Sequence, residues 1–257
     1  METVEYEVRD CIGFITLNRP EKRNALNEEL ITNLSSAFAR ASKDASVRAI
    51  ILRANGDAFC SGADLGYLQQ LQNFSFNDNL ADSTRLKELF LQIYTLNKVV
   101  IAQVEGHAIA GGCGLATVCD FVFSVPEAKF GYTEVRIGFI PAIVMVFLIR
   151  KIGDQRARQL LLSGDLVTAD QAAGLGLISK IADKGTIKND VLEFAGKLIR
   201  SNSGQAIATT KQMMAEVQSM PLAQALDYAA RMNAEARGTD DCKTGIARFL
   251  NKQTPEW

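Results

Sequence analysis

Residues 99–125 read VVIAQVEGHAIAGGCGLATVCDFVFSV, and this stretch decides the fold class. Its first and last segments, 99–104 and 121–125, are short and rich in β-branched or aromatic residues, which is typical of strands buried on both faces. The residues between them combine a glycine-rich turn with a helical segment. Because parallel strands need a crossover connection, the order strand, turn, helix, strand predicts an α/β fold with parallel strands.

The residues before this stretch repeat the alternation of strands and helices. Residues 4–8 alternate apolar and charged side chains and residues 12–17 are largely apolar, which predicts a pair of strands. Asn27 is placed to cap a helix whose apolar stripe comprises Leu30, Ile31, Leu34 and Phe38. Residues 47–52 predict another buried strand, and a second glycine-rich turn, NGDAFCSGADLG at 55–66, follows it. Residues 69–81 show no periodicity, so we expect a mobile segment there and a helix at about 83–96.

The residues after this stretch are mostly helical. Residues 139–149 form the longest apolar segment, which is shorter than the roughly 20 residues that span a bilayer and therefore predicts a buried helix. Thr168 and Gln171 form a capping box, and residues 177–181 (LISKI) predict a last strand. We therefore expect one α/β core at residues 1–195, with residues 196–257 as a helical C-terminal extension of the same domain.

The composition excludes several classes of protein. The chain has 257 residues, 47% of them hydrophobic and 22% charged, which excludes disordered and fibrous architectures. Its 28 Lys and Arg residues balance 29 Asp and Glu residues, so no basic field favours nucleic acid or a membrane surface. The first ten residues carry no apolar signal core, and the five cysteines include no close pair. We expect a cytoplasmic protein with reduced thiols.

The chain lacks the residues of several common kinds of active site. His107 is the single histidine, which argues against a metal site and makes any Ser-His-Asp triad depend on that one side chain. We interpret His107 as structural. Neither a P-loop nor a GxGxxG fingerprint occurs, so the glycine-rich turns are not ordinary nucleotide loops. We expect no metal and no resident cofactor.

The two glycine-rich turns have two interpretations. Each follows a buried strand and leads into a helix, where backbone N–H groups lack partners. Two adjacent turns could aim one N–H each at a single oxygen and form an oxyanion hole; alternatively, the glycines only permit close packing.

Glu134 is the candidate acid–base group, because Phe130, Val135, Ile137, Phe139 and Ile140 surround it in sequence and burial raises a carboxyl pKa. A surface glutamate paired with Arg136 is the alternative.

The chain resembles the enoyl-CoA hydratase/isomerase (crotonase) superfamily. The residues that carry the resemblance are NRPEKRNALN at 18–27, AFCSGADL at 58–65, GHAIAGGCGLATVCDFVFSVPEAKFGYTEVRIGFIPA at 106–142, and LSGDLVTADQAAGLGLISKI at 162–181. The resemblance covers nearly the whole chain. It implies a crotonase-like spiral of ββα units with a helical C-terminal trimerisation region, assembled as a homo-trimer or a hexamer.

The resemblance also implies the roles of individual residues. Ala63 and Gly111 match the two backbone N–H donors that hold the thioester carbonyl of an acyl-CoA, and Glu134 matches a catalytic glutamate. The residues that match the substrate- and CoA-contacting surface are Arg23, Ala25, Leu26, Asp64, Leu65 and Gly112. Phe249 and Lys252 match a C-terminal pair that reaches the CoA site of a neighbouring subunit. Residues 68–80 are expected to line the acyl pocket. Coenzyme A enters as part of the substrate.

One departure from the family pattern bears on the reaction. Well-known hydratases carry a second glutamate at the position of Gly114, and here that carboxylate is missing. Two carboxylates orient and deprotonate a water, whereas one suffices to move a proton between carbon atoms of a bound enolate. Gly114 therefore favours a 3-enoyl to 2-enoyl-CoA isomerase, which resembles this chain in using a single glutamate.

A longer match favours hydration. The segment EVRIGFIPAIVMVFLIRKIG at 134–153 resembles a bacterial branch assigned to methylglutaconyl-CoA hydration in leucine breakdown. We therefore expect a hydratase of short or branched 2-enoyl-CoA, in which Arg136 could complement a substrate carboxylate. An isomerase is the alternative, followed by a decarboxylase or thioester hydrolase. A catalytically weak CoA-binding or RNA-binding protein is a further alternative, against which the neutral charge and the retained Glu134 argue.

Overall fold

A computed structural model describes residues 2–254 and 257 of the chain. It confirms the predicted α/β class: two sheets are covered by helices, and a helical region follows them. The ten strands of the described residues are β1 Val4–Arg9, β2 Ile12–Leu17, β3 Ala49–Ala54, β4 Ala58–Cys60, β5 Val99–Val104, β6 His107–Ile109, β7 Phe121–Ser124, β8 Lys129–Gly131, β9 Val167–Thr168 and β10 Lys180–Ile181.

The larger sheet has the strand order β1-β2-β3-β5-β7-β10. The β1–β2 pair is the antiparallel hairpin expected from the sequence, and the other neighbours are parallel. All six residues of β2 and of β5 are buried, so these strands have apolar contacts on both faces.

The smaller sheet has the order β4-β6-β8-β9. Strands β4, β6 and β8 are parallel, and β9 closes the sheet in antiparallel orientation. The carboxyl ends of three adjacent parallel strands therefore meet at one edge, which is where open α/β sheets bind ligands.

The helices cover both sheets and form the C-terminal region. Their bounds are α1 Glu28–Lys43, α2 Leu65–Leu71, α3 Phe76–Tyr94, α4 Gly111–Thr117, α5 Ala142–Ile152, α6 Asp154–Ser163, α7 Ala169–Gly174, α8 Ile187–Ser201, α9 Gly204–Val217, α10 Leu222–Arg237 and α11 Asp240–Leu250. Asn27 caps α1 by accepting from the Leu30 N–H, and Thr168 and Gln171 form the expected capping box at α7.

Residues 69–81, expected to form a mobile segment without periodicity, are mostly helical. Helix α2 extends to Leu71, and α3 begins at Phe76 instead of near residue 83. The Ser75 hydroxyl accepts from the Asp78 N–H while the Asp78 carboxylate accepts from the Ser75 N–H. This capping box starts the helix in a polar stretch where apolar periodicity gives no signal.

The segment predicted as a buried helix at 139–149 is only half buried. Helix α5 begins after Pro141 and buries Val144, Phe147, Leu148 and Ile152 against its neighbours. Its other face, with Met145, Val146 and Ile149, is exposed, as are Phe139 and Ile140 before it. An all-round apolar sequence predicts burial on every side, and one chain covers only one side here.

The C-terminal helices connect to the core through α8 and α9. Phe194 on α8 stacks on Phe121 and Phe123 of β7, and Lys211 on α9 lies 2.7 Å from the Asp120 carboxylate. The predicted division between residues 195 and 196 falls inside α8, and the division stays a prediction. In the described part of the chain, no helix combines the length and the apolar character needed to cross a membrane.

Candidate active site

The first feature of the site is the turn after β4, which presents the backbone N–H of Ala63. Leu26 and Ala63 form an isolated parallel bridge: the Leu26 N–H donates to Gly62 O at 2.7 Å and the Asp64 N–H donates to Leu26 O at 2.9 Å. In such a bridge the N–H of the central residue points away from the partner strand. Among residues 2–254 and 257, the Ala63 N–H has no hydrogen-bond acceptor.

The second feature is the turn between β6 and α4, which presents the Gly111 N–H. Ala110 has φ 51° and ψ −124°, a conformation that side chains disfavour and that costs of order 1–3 kcal/mol. Its N–H donates to Gly131 O at 2.7 Å, and its carbonyl accepts from the Gly114 N–H at 3.0 Å. These bonds hold the strained turn, and the Gly111 N–H has no acceptor within the described ranges.

The two turns are in direct contact. A Cβ on Gly62 would lie 2.9 Å from the Ala110 Cβ and 3.7 Å from the Gly111 nitrogen. A Cβ on Gly112 would lie 2.2 Å from Cys60 O. Both glycines therefore permit the close packing that one interpretation of the sequence required. That packing also brings the turn that carries Ala63 against the turn that carries Gly111, so the two interpretations are compatible.

The third feature is Glu134, three residues after β8, in a short 3₁₀ helix spanning Glu134–Ile137. Its Oε2 atom is buried and has no hydrogen-bond partner in the described residues. Burial raises the pKa of this carboxyl above its usual value. Burial also raises the pKa of the neighbouring Cys113 thiol to about 12, and the charge of Glu134 contributes to that rise.

The alternative of a Glu134–Arg136 pair is wrong. Arg136 donates to Asp165 at 2.6 Å, and both side chains are exposed. The expected apolar surroundings of Glu134 are also only partly right. Phe130 is buried, but Val135, Ile137, Phe139 and Ile140 are exposed.

The position of Gly114 is filled by other side chains. This residue lies on α4 one turn after Gly111, and so it shares a face of that helix with Gly111. A Cβ there would lie 2.3 Å from Val144 Cγ1 and 2.9 Å from Phe90 Cε2. The missing carboxylate has therefore left no empty space behind.

Arg19 is a site residue that the sequence reasoning missed. Its guanidinium donates to Ala25 O at 2.7 Å and to Asp64 Oδ2 at 3.1 Å, which ties the loop of residues 23–26 to the Ala63 turn. Asp64, which the family resemblance places among the CoA-contacting residues, caps α2 by accepting from the Gly66 N–H at 2.9 Å. Burial opposes ionisation of Asp64, but the bonds from Arg19, Tyr67 and Gly66 outweigh it and lower the pKa. The charged NRPEKRN turn was the only signal.

Comparisons with known proteins agree on one family. The family model for enoyl-CoA hydratase/isomerase matches residues 7–257. The chain belongs to this family. A Thermus thermophilus relative with enoyl-CoA hydratase in its name is 38% identical over 246 residues, covering 96% of this chain and 97% of its own. The 2,3-dehydroadipyl-CoA hydratase of Escherichia coli is 34% identical over 95% of this chain and 93% of its own.

The solved structures extend this agreement to the fold. The crystal structure of an enoyl-CoA hydratase from Mycobacterium smegmatis has a TM-score of 0.93 at 29% identity, and covers 100% of this chain and 99% of its own. The expected crotonase fold is thereby confirmed, including its helical C-terminal region.

The residues expected to contact CoA in this enoyl-CoA hydratase/isomerase family member are divided between two places. Arg23 and Leu65 are exposed beside the Ala63 turn, whereas Ala25, Leu26 and Gly112 are buried in the support beneath it. Arg23 has φ 50°, and its carbonyl accepts from the Ser61 N–H at 3.1 Å. Backbone groups, and the side chains of Arg23 and Leu65, are therefore what this surface offers a ligand.

Phe249 and Lys252 lie at the far end of the helical region. Phe249 is 80% exposed near the end of α11, and Lys252 is exposed just after that helix. Their contact with the CoA site of a neighbouring subunit stays a prediction. His107 is structural, as expected: its Nδ1 accepts from the Lys129 N–H at 3.2 Å.

Proposed function

We propose that this protein hydrates short or branched 2-enoyl-CoA thioesters. One observation carries the proposal. Two backbone N–H groups and a buried carboxyl oxygen, all without a partner among residues 2–254 and 257, lie beyond the carboxyl ends of β4, β6 and β8. The names of relatives, which include crotonyl-CoA and 2,3-dehydroadipyl-CoA hydratases, support hydration.

The Ala63 and Gly111 N–H groups act on the thioester carbonyl oxygen. As water adds to C3, negative charge moves onto this oxygen and gives an enolate. Preorganised donors aimed at such an oxygen are worth about 2.7–4 kcal/mol each in comparable sites. Ala63 and Gly111 present backbone donors, so side chains there contribute only through the turn conformation.

Glu134 carries both proton transfers. Its ionised carboxylate accepts a proton from the water whose oxygen bonds to C3, and the resulting carboxylic acid delivers a proton to C2 of the enolate. A pKa raised toward neutrality suits a group that must both accept and donate. Coenzyme A enters with the substrate, and the reaction uses no resident cofactor.

The substrate we propose is a branched 2-enoyl-CoA of the 3-methylglutaconyl-CoA type. The support is the resemblance of residues 134–153 to the branch assigned to that reaction. The pairing of Arg136 with Asp165 weighs against Arg136 as the partner of a substrate carboxylate. We therefore expect the protein to select substrates by the branching of the acyl group more than by its charge.

Isomerisation of 3-enoyl-CoA is the second candidate function. The observation that favours it is the packing around Gly114. Of the two carboxylates in the family pattern, this packing leaves only Glu134. In this reaction Glu134 removes a proton from one carbon of the bound substrate and returns it to another, and no water adds.

A panel of three substrates separates the two candidates. Purified protein is given crotonyl-CoA, 3-methylglutaconyl-CoA and a 3-enoyl-CoA, and the absorbance of the conjugated thioester is followed. Hydration removes this absorbance from the first two substrates, with the branched one faster. Appearance of absorbance from the 3-enoyl-CoA, without loss from the others, contradicts hydration and establishes the isomerase. The Glu134→Gln variant is the control for contaminating activity.

We also propose that the protein works as a homo-oligomer of the trimer type. None of the residues of α10 or α11 is buried, although both helices carry large apolar side chains. The exposed ones are Leu222, Leu226, Ile246, Phe249 and Leu250. Clusters of exposed apolar side chains are typical of association surfaces.

A further inference from the structure

The space beside Gly114 is occupied by a packed apolar wall. Val144 of α5 is 4% exposed, and Phe90 of α3 is fully buried. The Phe90 and Phe147 rings stack edge to face with centroids 6.2 Å apart, and Phe147 also packs on Tyr94 at 5.2 Å. Val144 and Phe147 are one turn apart on α5, so the aromatic stack holds the helix, and with it Val144, against α4.

This wall is complementary in size to glycine. The Val144 Cγ1 atom would lie 2.3 Å from a Cβ at position 114, which is far inside van der Waals contact. Phe90 Cε2, at 2.9 Å, belongs to a fully buried ring that packs edge to face on Phe147, so it cannot swing out into solvent. Any residue larger than glycine at position 114 must therefore displace Val144 first.

We propose that Val144 determines how many ionisable groups this active site can hold. Its side chain fills the volume through which a carboxylate at position 114 would reach the substrate, and so it makes proton transfer depend on Glu134 alone. Val144 acts here as a specificity-determining residue through its packing and does not exchange protons itself. The inference rests on the proposed function for its catalytic consequence, but its packing part stands independently.

The stability arm of the test is a double-mutant cycle between positions 114 and 144. In the parent, Gly114→Glu should lower the thermal midpoint by roughly 4–10 °C, because it overpacks a filled core. Val144→Ala removes both γ-carbons, so the same substitution in that background should cost less than half as much. Gly174→Glu, at a helical glycine with nothing within 4 Å, and Val191→Ala, at a fully buried valine of α8, are the matched controls.

The catalytic arm compares the effect of removing Glu134 in two backgrounds. In the parent, Glu134→Gln should reduce turnover roughly 10²–10⁴-fold. In the Gly114→Glu, Val144→Ala background, the added carboxylate shares the proton transfers, and the loss should be at least about tenfold smaller. Two reactions are followed: hydration of crotonyl-CoA, and exchange of the C2 protons of butyryl-CoA in D₂O, which needs a base but no addition of water.

The outcomes separate this inference from the proposed function. An equal stability cost of Gly114→Glu in both backgrounds overturns the proposal, and so does an equal loss from Glu134→Gln in both backgrounds. If the parent hydrates no substrate but the two backgrounds still differ in stability and in C2 exchange, the proposed function fails while the role of Val144 stands. The Gly174→Glu control must leave both reactions unchanged in either background.

Discussion

At the scale of single residues, the proposed chemistry depends on how Glu134 is held. Its Oε2 is buried without a partner in the described part of the chain, which is unusual for a carboxyl oxygen, and desolvation raises the pKa of this group. Replacing Glu134 by glutamine keeps the shape and removes the titrating group. We expect turnover to fall roughly 10²–10⁴-fold while the dissociation constant for CoA changes little. Turnover equal to the parent on every substrate tested would exclude Glu134 as the proton-transfer group.

The pH dependence of the same pair of proteins tests the raised pKa. The folded pKa lies above the usual 4.5, so folding disfavours ionisation of this carboxyl. Relative to the Gln variant, the parent should lose free energy of unfolding as pH rises from about 4.5 through the folded pKa. Because the base must be ionised to accept a proton, parent turnover should rise across the same pH window. A stability difference that does not vary with pH would contradict the shift.

A substitution at Gly111 can test the backbone N–H donor itself, which most substitutions leave in place. Gly111 is the first residue of α4, a position where the N–H has no intrahelical acceptor and proline is common, although proline also restricts the backbone of Ala110 before it. Gly111→Pro removes the N–H, and we expect turnover to fall about 10²–10³-fold. Gly111→Ala keeps the N–H and meets only the flexible end of Leu26 at 3.0 Å, so it is the steric control. Equal activity of the two variants would remove Gly111 from the oxyanion hole.

How far the site could be predicted depends on whether neighbours in sequence or in space determine it. The structural interpretation of His107 is a local matter, and the hydrogen bond from the Lys129 N–H to its Nδ1 agrees with it. The absence of a carboxylate at Gly114 was also visible. Its replacement by Val144 and Phe90 was not, because these residues belong to helices whose docking no sequence pattern specifies. The Arg19–Asp64 contact was missed for the same reason, since 45 residues separate its ends.

At the scale of whole elements, periodicity predicted the elements that bury apolar side chains and missed those that do not. The sequence predicts the six-residue strand β5 with the bounds it has, because five of its six residues are apolar. The strands β4 and β6 have three residues each and lie within segments that the sequence predicts as glycine-rich turns. The predicted helix starts later than α3 does, because the first turn of α3 depends on the Ser75–Asp78 capping box instead of on apolar contacts. The site lies at the ends of those short strands, so the sequence located the two glycine-rich turns but could not show that they are in contact.

At the scale of the whole molecule, the core and the C-terminal helices differ in whether their apolar side chains are covered. The core elements fill both faces of the larger sheet, whereas α11 packs against α10 and leaves its apolar residues to solvent. Helix α11 is nevertheless fixed at its start, where Ser203 of the α9 cap donates a hydrogen bond to Asp241. An apolar helix face held in place but uncovered is suited to a second copy of the chain.

Truncation tests whether that face completes the CoA site of a neighbour. A chain ending at Ala247 loses two of the most exposed apolar side chains, Phe249 and Leu250, together with the cations Arg248 and Lys252. We expect sedimentation to show dissociation to monomers. CoA affinity should fall about tenfold or more, because a charge-assisted contact from Lys252 to a phosphate is lost with the neighbour.

Leu192→Ser on α8, which removes an exposed apolar side chain outside this face, should change neither property. Lys252→Ser alone should weaken CoA binding and leave the assembly intact, because only the cation is removed. A truncated monomer that binds CoA as the parent does would show that each subunit builds its CoA site by itself.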